Sequence, residues 1–388
     1  MHSGTDIHRP SLFCKLSLTH FKPPASTSSN PTNIPIMPGQ QAKQWVLSNP
    51  PHADPVLEGD NSTFKLENVT LPEVGADQVL VKTLYLSNDP AQRGWIQKDM
   101  DPERLYVPPV KKGEVMRSYA IGEVVESNVD SLKKGTLVTG SLGWTDYAVV
   151  KKDEVRAVAA DEKAGIRVTN YIGSLGGPGL TAYYGITDIA RATKDDVVVV
   201  SGAAGATGSM VVQIAKHLIG CKKVIGIAGG DKKCKWVESL GADVCVDYKA
   251  ASFKADLKKA TEGFVDVYFD NVGGEILDLM LSRIKRFGRV AACGAISTYN
   301  DPNAGVKNWF EIIANRIEVR GFIVIDAMTS GKAGNMLGAI TQGIKDGKIK
   351  IDPESETVVP TKFEDVPKTW TTLFSGGNQG KLVTEIKA

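Results

Sequence analysis

Three glycines at a spacing of three residues separate a run of valines from a run of helix-spaced apolar residues. The glycines are Gly202, Gly205 and Gly208, in the sequence VVVVSGAAGATGSMVVQIAKHLIG (197–220). This segment predicts a buried strand, a tight turn that includes Ala206 and Thr207 as candidate cofactor-binding residues, and a helix. Side chains larger than hydrogen would block the turn, and the helix N-terminus directs backbone N–H groups at one point. The spacing therefore predicts a site for the pyrophosphate of a dinucleotide, with plain packing glycines as the alternative.

The residues after the next predicted strand, 223–228, indicate which dinucleotide is bound. They are Gly229, Gly230, Asp231, Lys232 and Lys233. An NAD site usually has an Asp or Glu here for the ribose hydroxyl, whereas small residues with nearby cations suit a ribose phosphate. We therefore expect NADP, bound as NADPH, with Gly229 lining the site. Asp231 is the competing ribose partner, although it is more simply the N-cap of a helix over 232–240.

Composition limits the other functions that this chain could have. The chain has 388 residues, 42% of them hydrophobic, and a formal net charge of +2. The length predicts two domains, and the balanced charge argues against nucleic acid as the main partner. No apolar run is long enough to cross a bilayer, so we expect no membrane partner. Five cysteines without metal-type spacing indicate a reducing compartment, and we expect a cytoplasmic protein.

The pattern along the chain predicts an extension and two domains. Residues 1–36 are rich in Pro, Ser, Thr and Asn without periodicity, which predicts a disordered extension. Short alternating strands and turns over 37–160 predict a β-rich domain. Strands alternate with helices over 161–324, which predicts a doubly wound parallel α/β sheet. Residues 325–388 contain a helical stretch and two strands that could complete the β-rich domain. The active site is then expected in the cleft between the domains.

The strands and helices of the alternating region are predicted individually. The predicted strands are 197–201, 223–228, 243–246, 265–269, 288–293 and 317–324. The predicted helices are 180–190, 208–219, 232–240, 251–260, 274–285 and 307–314.

Eight motifs, in the same order, resemble zinc-independent medium-chain dehydrogenases/reductases. They are YLSNDPAQRGW (85–95), GGPGLTAYYGI (176–186), SGAAGATG (201–208), AGGDKK (228–233), VDYK (246–249), FDNVGGE (269–275), FGRVAACGAISTYN (287–300) and GGNQGK (376–381). The closer similarity is to prostaglandin reductases (leukotriene B4 12-hydroxydehydrogenases) and plant double-bond reductases. It covers about 40–388, and it implies a Rossmann NADP-binding domain, a GroES-like β-rich domain and a homodimer.

The resemblance also implies roles for five residues at matching positions. Lys233 would bind the 2′-phosphate and Tyr248 would contact the cofactor phosphates. Asn271 would line the nicotinamide side, and Asn378 would reach the cofactor from the C-terminal segment. Tyr299 would be the active-site tyrosine.

Two departures from the family pattern concern the substrate pocket. Asp-Pro-Ala (89–91) stands where the family often has Asp-Pro-Tyr, and Gly-Gly-Pro-Gly (176–179) where it often has Gly-Met-Pro-Gly. Both remove bulk, so we expect a wider or differently shaped pocket with one aromatic wall missing.

The cysteine and histidine ligands of the zinc-dependent relatives are absent. Leu86 lies in the segment that carries their cysteine, and Arg-Ser-Tyr (117–119) stands where they have Gly-His-Glu. We therefore expect no metal, and hence no Lewis acid to polarise a simple carbonyl.

Without a metal, a conjugated enone or enal is the better hydride acceptor. A hydroxyl group can stabilise the charge that develops on the carbonyl oxygen or can supply a proton, and Tyr299 is the candidate. The sequence thus predicts an NADPH-dependent reductase of α,β-unsaturated ketones or aldehydes. An NADPH-dependent quinone reductase and a non-catalytic nucleotide- or RNA-binding relative are the alternatives.

Overall fold

The structure is a computed structural model that describes residues 39–301 and 305–387. The predicted disordered extension, 1–36, lies outside the described residues. None of the helices in the described ranges is both long and apolar enough to cross a membrane.

Most of the described chain is arranged around two large sheets. In chain order the strands are β1 (Gln41–Leu47), β2 (Phe64–Thr70), β3 (Gln78–Ser87), β4 (Tyr119–Ser127), β5 (Leu137–Ser141), β6 (Tyr147–Lys151), β7 (Val155–Ala157), β8 (Val197–Ser201), β9 (Lys223–Ala228), β10 (Val244–Asp247), β11 (Val265–Asp270), β12 (Ile284–Ala292), β13 (Glu318–Gly321), β14 (Glu356–Thr361) and β15 (Lys381–Ile386). The helices are α1 (Gln92–Trp95), α2 (Gly177–Tyr184), α3 (Ala206–Gln213), α4 (Asp231–Ser239), α5 (Phe253–Ala260), α6 (Gly274–Leu281), α7 (Phe310–Asn315), α8 (Val324–Thr329), α9 (Ala333–Lys345) and α10 (Val366–Thr371).

The first large sheet is parallel, in the order β10-β9-β8-β11-β12-β13. Val198 and Val200 join the apolar cluster on one face, and Val199 joins the cluster on the other. Because apolar side chains cover both faces, the strand is a continuous apolar run without alternation. The strand order reverses direction between β8 and β11, so a crevice for a ligand opens at the carboxyl ends of these strands. The α/β fold class is confirmed.

The second large sheet is β-rich and includes strands from both ends of the described chain. Its order is β14-β15-β3-β4-β5-β7, with β6 also paired to β3. Trp370, from the C-terminal segment, packs edge-on against Phe64 and Trp144 at centroid distances of 5.9 and 5.6 Å. The C-terminal strands therefore pair with the β-rich part, as the sequence predicts, whereas the domain boundaries stay a prediction.

Several element boundaries differ from the predicted ones. The first helix of the alternating region begins at Gly177, three residues early, because Pro178 fits the first helical turn. It continues as a π-helical turn over Gly185–Ile189, and α3 continues likewise over Ile214–Ile219. Strand β12 begins four residues early and turns at Phe287, whose φ is +64°. Strand β13 is shorter than predicted because the chain enters α8 soon after it.

Candidate active site

The turn between β8 and α3 depends on glycine at two positions for different reasons. Gly202 has φ +58°, a left-handed conformation that most side chains avoid. A Cβ on Gly208 would lie 2.2 Å from the carbonyl oxygen of Gly202. Gly208 therefore lets the helix pack directly on the turn that precedes it.

The N-terminus of α3 presents backbone donors without an acidic group or a side-chain cap. The N-cap is Gly205, and the first turn contains Ala206 and Thr207. The first bond of the helix runs from the Ser209 N–H to the Gly205 carbonyl oxygen, so the N–H groups of residues 206–208 precede the helical ladder. Such an N-terminus binds anions, and the turn fits the pyrophosphate of a dinucleotide.

A second cluster forms at the carboxyl end of β9. The ring of Tyr248 packs over Gly229, where a Cβ would lie 2.7 Å from the ring. The Lys233 ammonium donates to the carbonyl oxygen of Gly376 at 2.9 Å. Gly376 also lies close to Tyr248, because a Cβ on Gly376 would be 3.9 Å from the Tyr248 hydroxyl, which is an ordinary van der Waals distance. Residues 229, 233 and 248, predicted separately from the sequence, therefore lie together.

This cluster is electropositive. Burial lowers the pKa of Lys233, and the positive charge of Lys249 lowers it further. A bound phosphate would relieve that repulsion, so the two lysines fit a 2′-phosphate. Lys249 was not singled out from the sequence, although it directly follows Tyr248.

The structure excludes one of the expected roles for Asp231. The helix begins at Asp231 itself, and its N-cap is Gly230 with φ +94°, so the predicted N-cap role was wrong. The carboxylate of Asp231 instead pairs with Lys235, one helical turn later, at 2.7 Å. Gly230 is held by the carboxylate of Asp247, which accepts its N–H at 2.7 Å.

The C-terminal segment 376–381 joins the glycine turn. The Gly380 N–H donates to the Ala204 carbonyl oxygen at 2.8 Å, and Gly380 and Gly205 form a parallel bridge. The Asn378 amide donates to the Gly380 carbonyl oxygen at 2.8 Å. Asn378 is therefore two residues along the chain from Gly380, which contacts the glycine turn. Only the resemblance indicated that Asn378 lies near this turn.

A buried carboxylate organises the loop after β11. Asp270 is 2% exposed and accepts hydrogen bonds from the Tyr268 hydroxyl at 2.8 Å and from the Gly273 N–H at 3.0 Å. The Asn271 side chain donates to the Ser201 carbonyl oxygen at 2.7 Å. These bonds hold Asn271 beside the β8 strand end, where the glycine turn begins.

Tyr299 lies just beyond the end of β12, next to the same loop. Its hydroxyl accepts the Ala295 N–H at 3.3 Å. A Cβ on Gly294 would lie 3.3 Å both from this hydroxyl and from the Asn271 carbonyl oxygen. Gly294 thus leaves open space between two residues that the resemblance assigns to the reactive end. Burial raises the pKa of Tyr299, which keeps its phenol a hydrogen-bond donor.

Two further titratable groups lie close enough to Tyr299 to raise its pKa, Cys293 and Tyr106. Burial, together with the negative charge of Asp270, raises the pKa of the Cys293 thiol to about 12. Tyr106, from the loop after α1, is close enough to interact electrostatically with both Cys293 and Tyr299. Although 45% of Tyr106 is exposed, burial of its phenol raises its pKa.

Aromatic and charged groups extend from Tyr106 along the β-rich side. The Trp95 indole N–H donates to the Tyr106 hydroxyl at 3.1 Å. The guanidinium of Arg117 lies 5.4 Å from the centre of the Trp95 ring, which is a cation–π distance. Trp95, four residues after Ala91, and Tyr106 therefore place two aromatic rings on the β-rich side, while the expected loss of an aromatic wall at Ala91 stays a prediction. In the sequence, nothing except the presence of Trp95 and Tyr106 indicates this arrangement.

One buried ion pair links this side to the C-terminal segment. The Lys381 ammonium, on a side chain that is 3% exposed, donates to the Asp89 carboxylate at 2.6 Å and to the Asn88 carbonyl oxygen at 2.7 Å. The Ser87 hydroxyl donates to the same carboxylate at 2.5 Å. The pair joins the loop before α1 to the segment that borders the glycine turn.

The described residues contain no group of three or more His, Cys, Asp or Glu side chains that could hold a metal ion. Leu86, in the segment that the resemblance matches to the cysteine-bearing segment of zinc-dependent relatives, is completely buried in the apolar core.

Comparisons with known proteins agree with this architecture. A family described as the N-terminal domain of oxidoreductase matches residues 43–158, and one described as zinc-binding dehydrogenase matches residues 206–339. The NADP⁺-dependent 2-alkenal reductase of Nicotiana tabacum is 36% identical over 347 residues, covering 89% of this chain and 96% of that protein.

Two more comparisons extend the similarity. An uncharacterized membrane protein of Saccharomyces cerevisiae is 36% identical over 364 residues, covering 89% of this chain and 98% of that protein. The crystal structure of CurA from Vibrio vulnificus in complex with NADPH is 33% identical, with a TM-score of 0.79 over 89% of this chain and 99% of that one.

Proposed function

The chain belongs to the medium-chain dehydrogenase/reductase family, in the zinc-independent branch of the prostaglandin and alkenal reductases, and from this premise we propose that it reduces the C=C bond of α,β-unsaturated ketones or aldehydes with NADPH. The observation that carries the proposal is the position of the Tyr299 phenol. It lies beside Gly294 and Asn271, at the strand end that borders the glycine turn.

Three clusters of residues would each bind a different part of NADPH. The glycine turn, with residues 202, 205, 206, 207 and 208, would hold the pyrophosphate on backbone N–H groups. Gly229, Lys233 and Tyr248 would hold the ribose that bears the 2′-phosphate, and Lys249 adds a second cation. Asn271 and Asn378 would fix the remaining part of the cofactor from opposite sides of the turn.

The chemistry at the reactive end requires a proton donor and a hydride acceptor. When bound, NADPH would supply a hydride to the carbon β to the carbonyl group. Negative charge would then develop on the carbonyl oxygen of the substrate, and the Tyr299 phenol would donate to that oxygen a hydrogen bond that strengthens as the charge develops. A proton from the phenol or from water would then bond to the α carbon and complete the saturated product.

The aromatic residues near Tyr299 would select the substrate. Tyr106 is close enough to interact electrostatically with Tyr299, and the Trp95 indole donates to the Tyr106 hydroxyl. Aromatic rings suit a planar conjugated system, and Ala91 removes bulk where the family often has a tyrosine, so we expect substituted or aryl-bearing enones to be accepted.

A steady-state comparison tests the proposed reaction. Purified protein is given NADPH and, in parallel, an aryl enone, a 2-alkenal, a saturated ketone and a quinone. We expect NADPH oxidation with the enone and the alkenal, and a saturated carbonyl product. Turnover with the quinone alone would favour a quinone reductase. NADPH binding without turnover on any acceptor would favour a non-catalytic relative.

An exposed sheet edge supports a homodimer. Strand β13 ends the parallel sheet, and its Val319 is 44% exposed. Beside it, α7 exposes 71% of Phe310 and 61% of Ile313. Pairing of β13 with its copy would satisfy the free edge and bury these side chains. Light scattering should give twice the chain mass, and Val319→Lys should give the monomer; a monomer without the substitution would contradict the dimer.

We propose that the protein is cytoplasmic, because its five cysteines are odd in number and show no metal-type spacing. A chain without a disulfide framework is typical of a reducing compartment. Cell fractionation tests this, and recovery in a washed membrane fraction would contradict it.

A further inference from the structure

A buried arginine on the β-rich side reaches across to the loop that carries Tyr299. Arg93, in α1, is completely buried. One of its terminal nitrogens, Nη2, donates to the carbonyl oxygens of Pro51 and Ala53 at 3.3 and 2.6 Å. Its Nε donates to the side-chain oxygen of Asn300 at 2.9 Å. A buried cation is thus held in one orientation and directed at the residue that follows Tyr299.

The amide of Asn300 completes a bridge between two opposite charges. Its Nδ2 donates to the carboxylate of Asp54 at 2.6 Å, while its oxygen accepts from Arg93. The amide dipole therefore has its oxygen toward a cation and its N–H toward an anion. Both hydrogen bonds are charge-assisted, which makes them stronger than bonds between neutral groups.

The Tyr299 hydroxyl is held by a longer hydrogen bond than the Asn300 amide. Among the described residues, its hydroxyl accepts a hydrogen bond from the Ala295 N–H that is 3.3 Å long. The neighbouring Thr298 is bonded back to Ala295, on the same strand end. Asn300 is the adjacent residue that attaches this loop to the β-rich side, where Tyr106 and Trp95 lie.

We propose that Asn300 is a positioning residue, which with Arg93 and Asp54 locks the loop so that the Tyr299 phenol faces the substrate carbonyl. This inference rests on the proposed function of Tyr299. The three residues come from separate segments, and none of them carries a role in the reaction described above. This lock, formed by Arg93, Asn300 and Asp54, holds the loop against the β-rich side, which also carries Trp95 and Tyr106.

Removing the amide tests the proposal first. Asn300→Ala should lower kcat about 10- to 100-fold, because small misplacement of a catalytic group costs rate on this scale. The Kd for NADPH should stay unchanged and the protein should remain folded, with a lower melting temperature because the buried Arg93 loses a charge-assisted hydrogen bond. Asn128→Ala is the matched control: its amide also bridges two segments, donating to the Val74 and Gly75 carbonyl oxygens, but at the other end of β4. It should leave kcat unchanged.

Exchanging the two partners tests the bridge itself. Asn300→Asp alone places two carboxylates in contact and should slow the reaction as strongly as Asn300→Ala. Combined with Asp54→Asn it restores the pattern, because the new carboxylate accepts from Arg93 and from the new amide. The double variant should recover most of kcat, which loss of fold stability alone would not predict. A double variant as slow as Asn300→Asp would overturn the proposal.

A double-mutant cycle with Tyr299→Phe separates this proposal from the proposed function. If Asn300 acts through the phenol, adding Asn300→Ala to Tyr299→Phe should cause little further loss; additive losses would overturn the proposal. If Tyr299→Phe slows the reaction but Asn300→Ala does not, the lock alone is wrong. If Tyr299→Phe has no effect, the proposed role of Tyr299 is wrong and the lock is overturned with it.

Discussion

The two ends of the candidate site are built in opposite ways. The phosphate end is made largely by backbone: one continuous segment supplies the glycine turn and the free N–H groups of α3. The reactive end is made by side chains from distant segments, with Tyr299 after β12 and Tyr106 after α1. A backbone site tolerates few substitutions at its glycines, whereas a side-chain site can change its walls one residue at a time.

The connection between the two ends is short and buried. Segment 376–381 touches Lys233 through Gly376, the glycine turn through Gly380, and the loop before α1 through Lys381. The phosphate end and the loop before α1 are therefore both held by segment 376–381.

The phosphate end should be the easier of the two to destroy. Gly208→Ala places a methyl group 2.2 Å from the Gly202 carbonyl oxygen, so the helix must move off the turn. We expect NADPH binding below detection in calorimetry and a lower melting temperature. Gly338→Ala is the control, because its Cβ meets nothing within 4 Å in the interior of α9. It should be neutral or stabilise by up to ~1 kcal/mol. Normal binding by Gly208→Ala would refute the backbone account.

The reactive end should lose rate without losing the cofactor. Tyr299→Phe removes one hydrogen bond that is strongest in the transition state, so turnover should fall ~10- to 1000-fold while the Kd for NADPH hardly changes. Stopped-flow NADPH oxidation with an enone measures the step. Unchanged turnover would remove Tyr299 from the reaction.

The cation cluster should decide between the two dinucleotides. Lys233→Ala should weaken NADPH binding by ~1–3 kcal/mol, typical of a charge-assisted hydrogen bond, and barely affect NADH. Lys232→Ala, an exposed neighbour on the same helix, should change neither affinity. Equal weakening of NADPH and NADH by Lys233→Ala would mean that Lys233 does not contact the 2′-phosphate.

The alkaline side of the pH profile should reflect the reactive end. Burial raises the pKa of Tyr299, so its phenol stays protonated above the ordinary tyrosine value of about 10. Turnover at saturating NADPH should therefore stay level as the pH rises toward that value. A loss with a midpoint near pH 8 that disappears in Tyr299→Phe would contradict this assignment.

Removing metal should have the smallest effect on either end. Prolonged chelation should change neither turnover nor the melting temperature, since the described residues contain no group of three or more side chains that could hold a metal ion. Stoichiometric zinc in the purified protein, lost together with activity, would overturn this expectation.

The same contrast explains what the sequence could predict. The glycine turn and its flanking strand and helix are local, so their spacing predicts both the fold of 197–220 and its ligand. The placement of Tyr248 in the same cluster as Lys233 was implied only by the resemblance, which assigns both residues to the cofactor phosphates. Strands β8, β9 and β11 match their predicted ranges to within one residue because their apolar runs are continuous.

The reactive end could not be derived in this way. Tyr106 lies in an irregular loop without periodicity, and nothing near it in the chain indicates that it faces Tyr299. The N-cap prediction for Asp231 was wrong because Gly230, in a left-handed conformation, starts the helix instead. The buried pair of Lys381 and Asp89 joins residues almost three hundred positions apart, which no local pattern signals.

Isotope transfer tests the central claim most directly. The protein is supplied with NADPH deuterated at the transferred position of C4 and with an aryl enone, and the product is analysed by NMR. The account predicts a saturated ketone with deuterium on the carbon β to the carbonyl group. An allylic alcohol with deuterium on the former carbonyl carbon would contradict it, because the hydride would then have added to the carbonyl group.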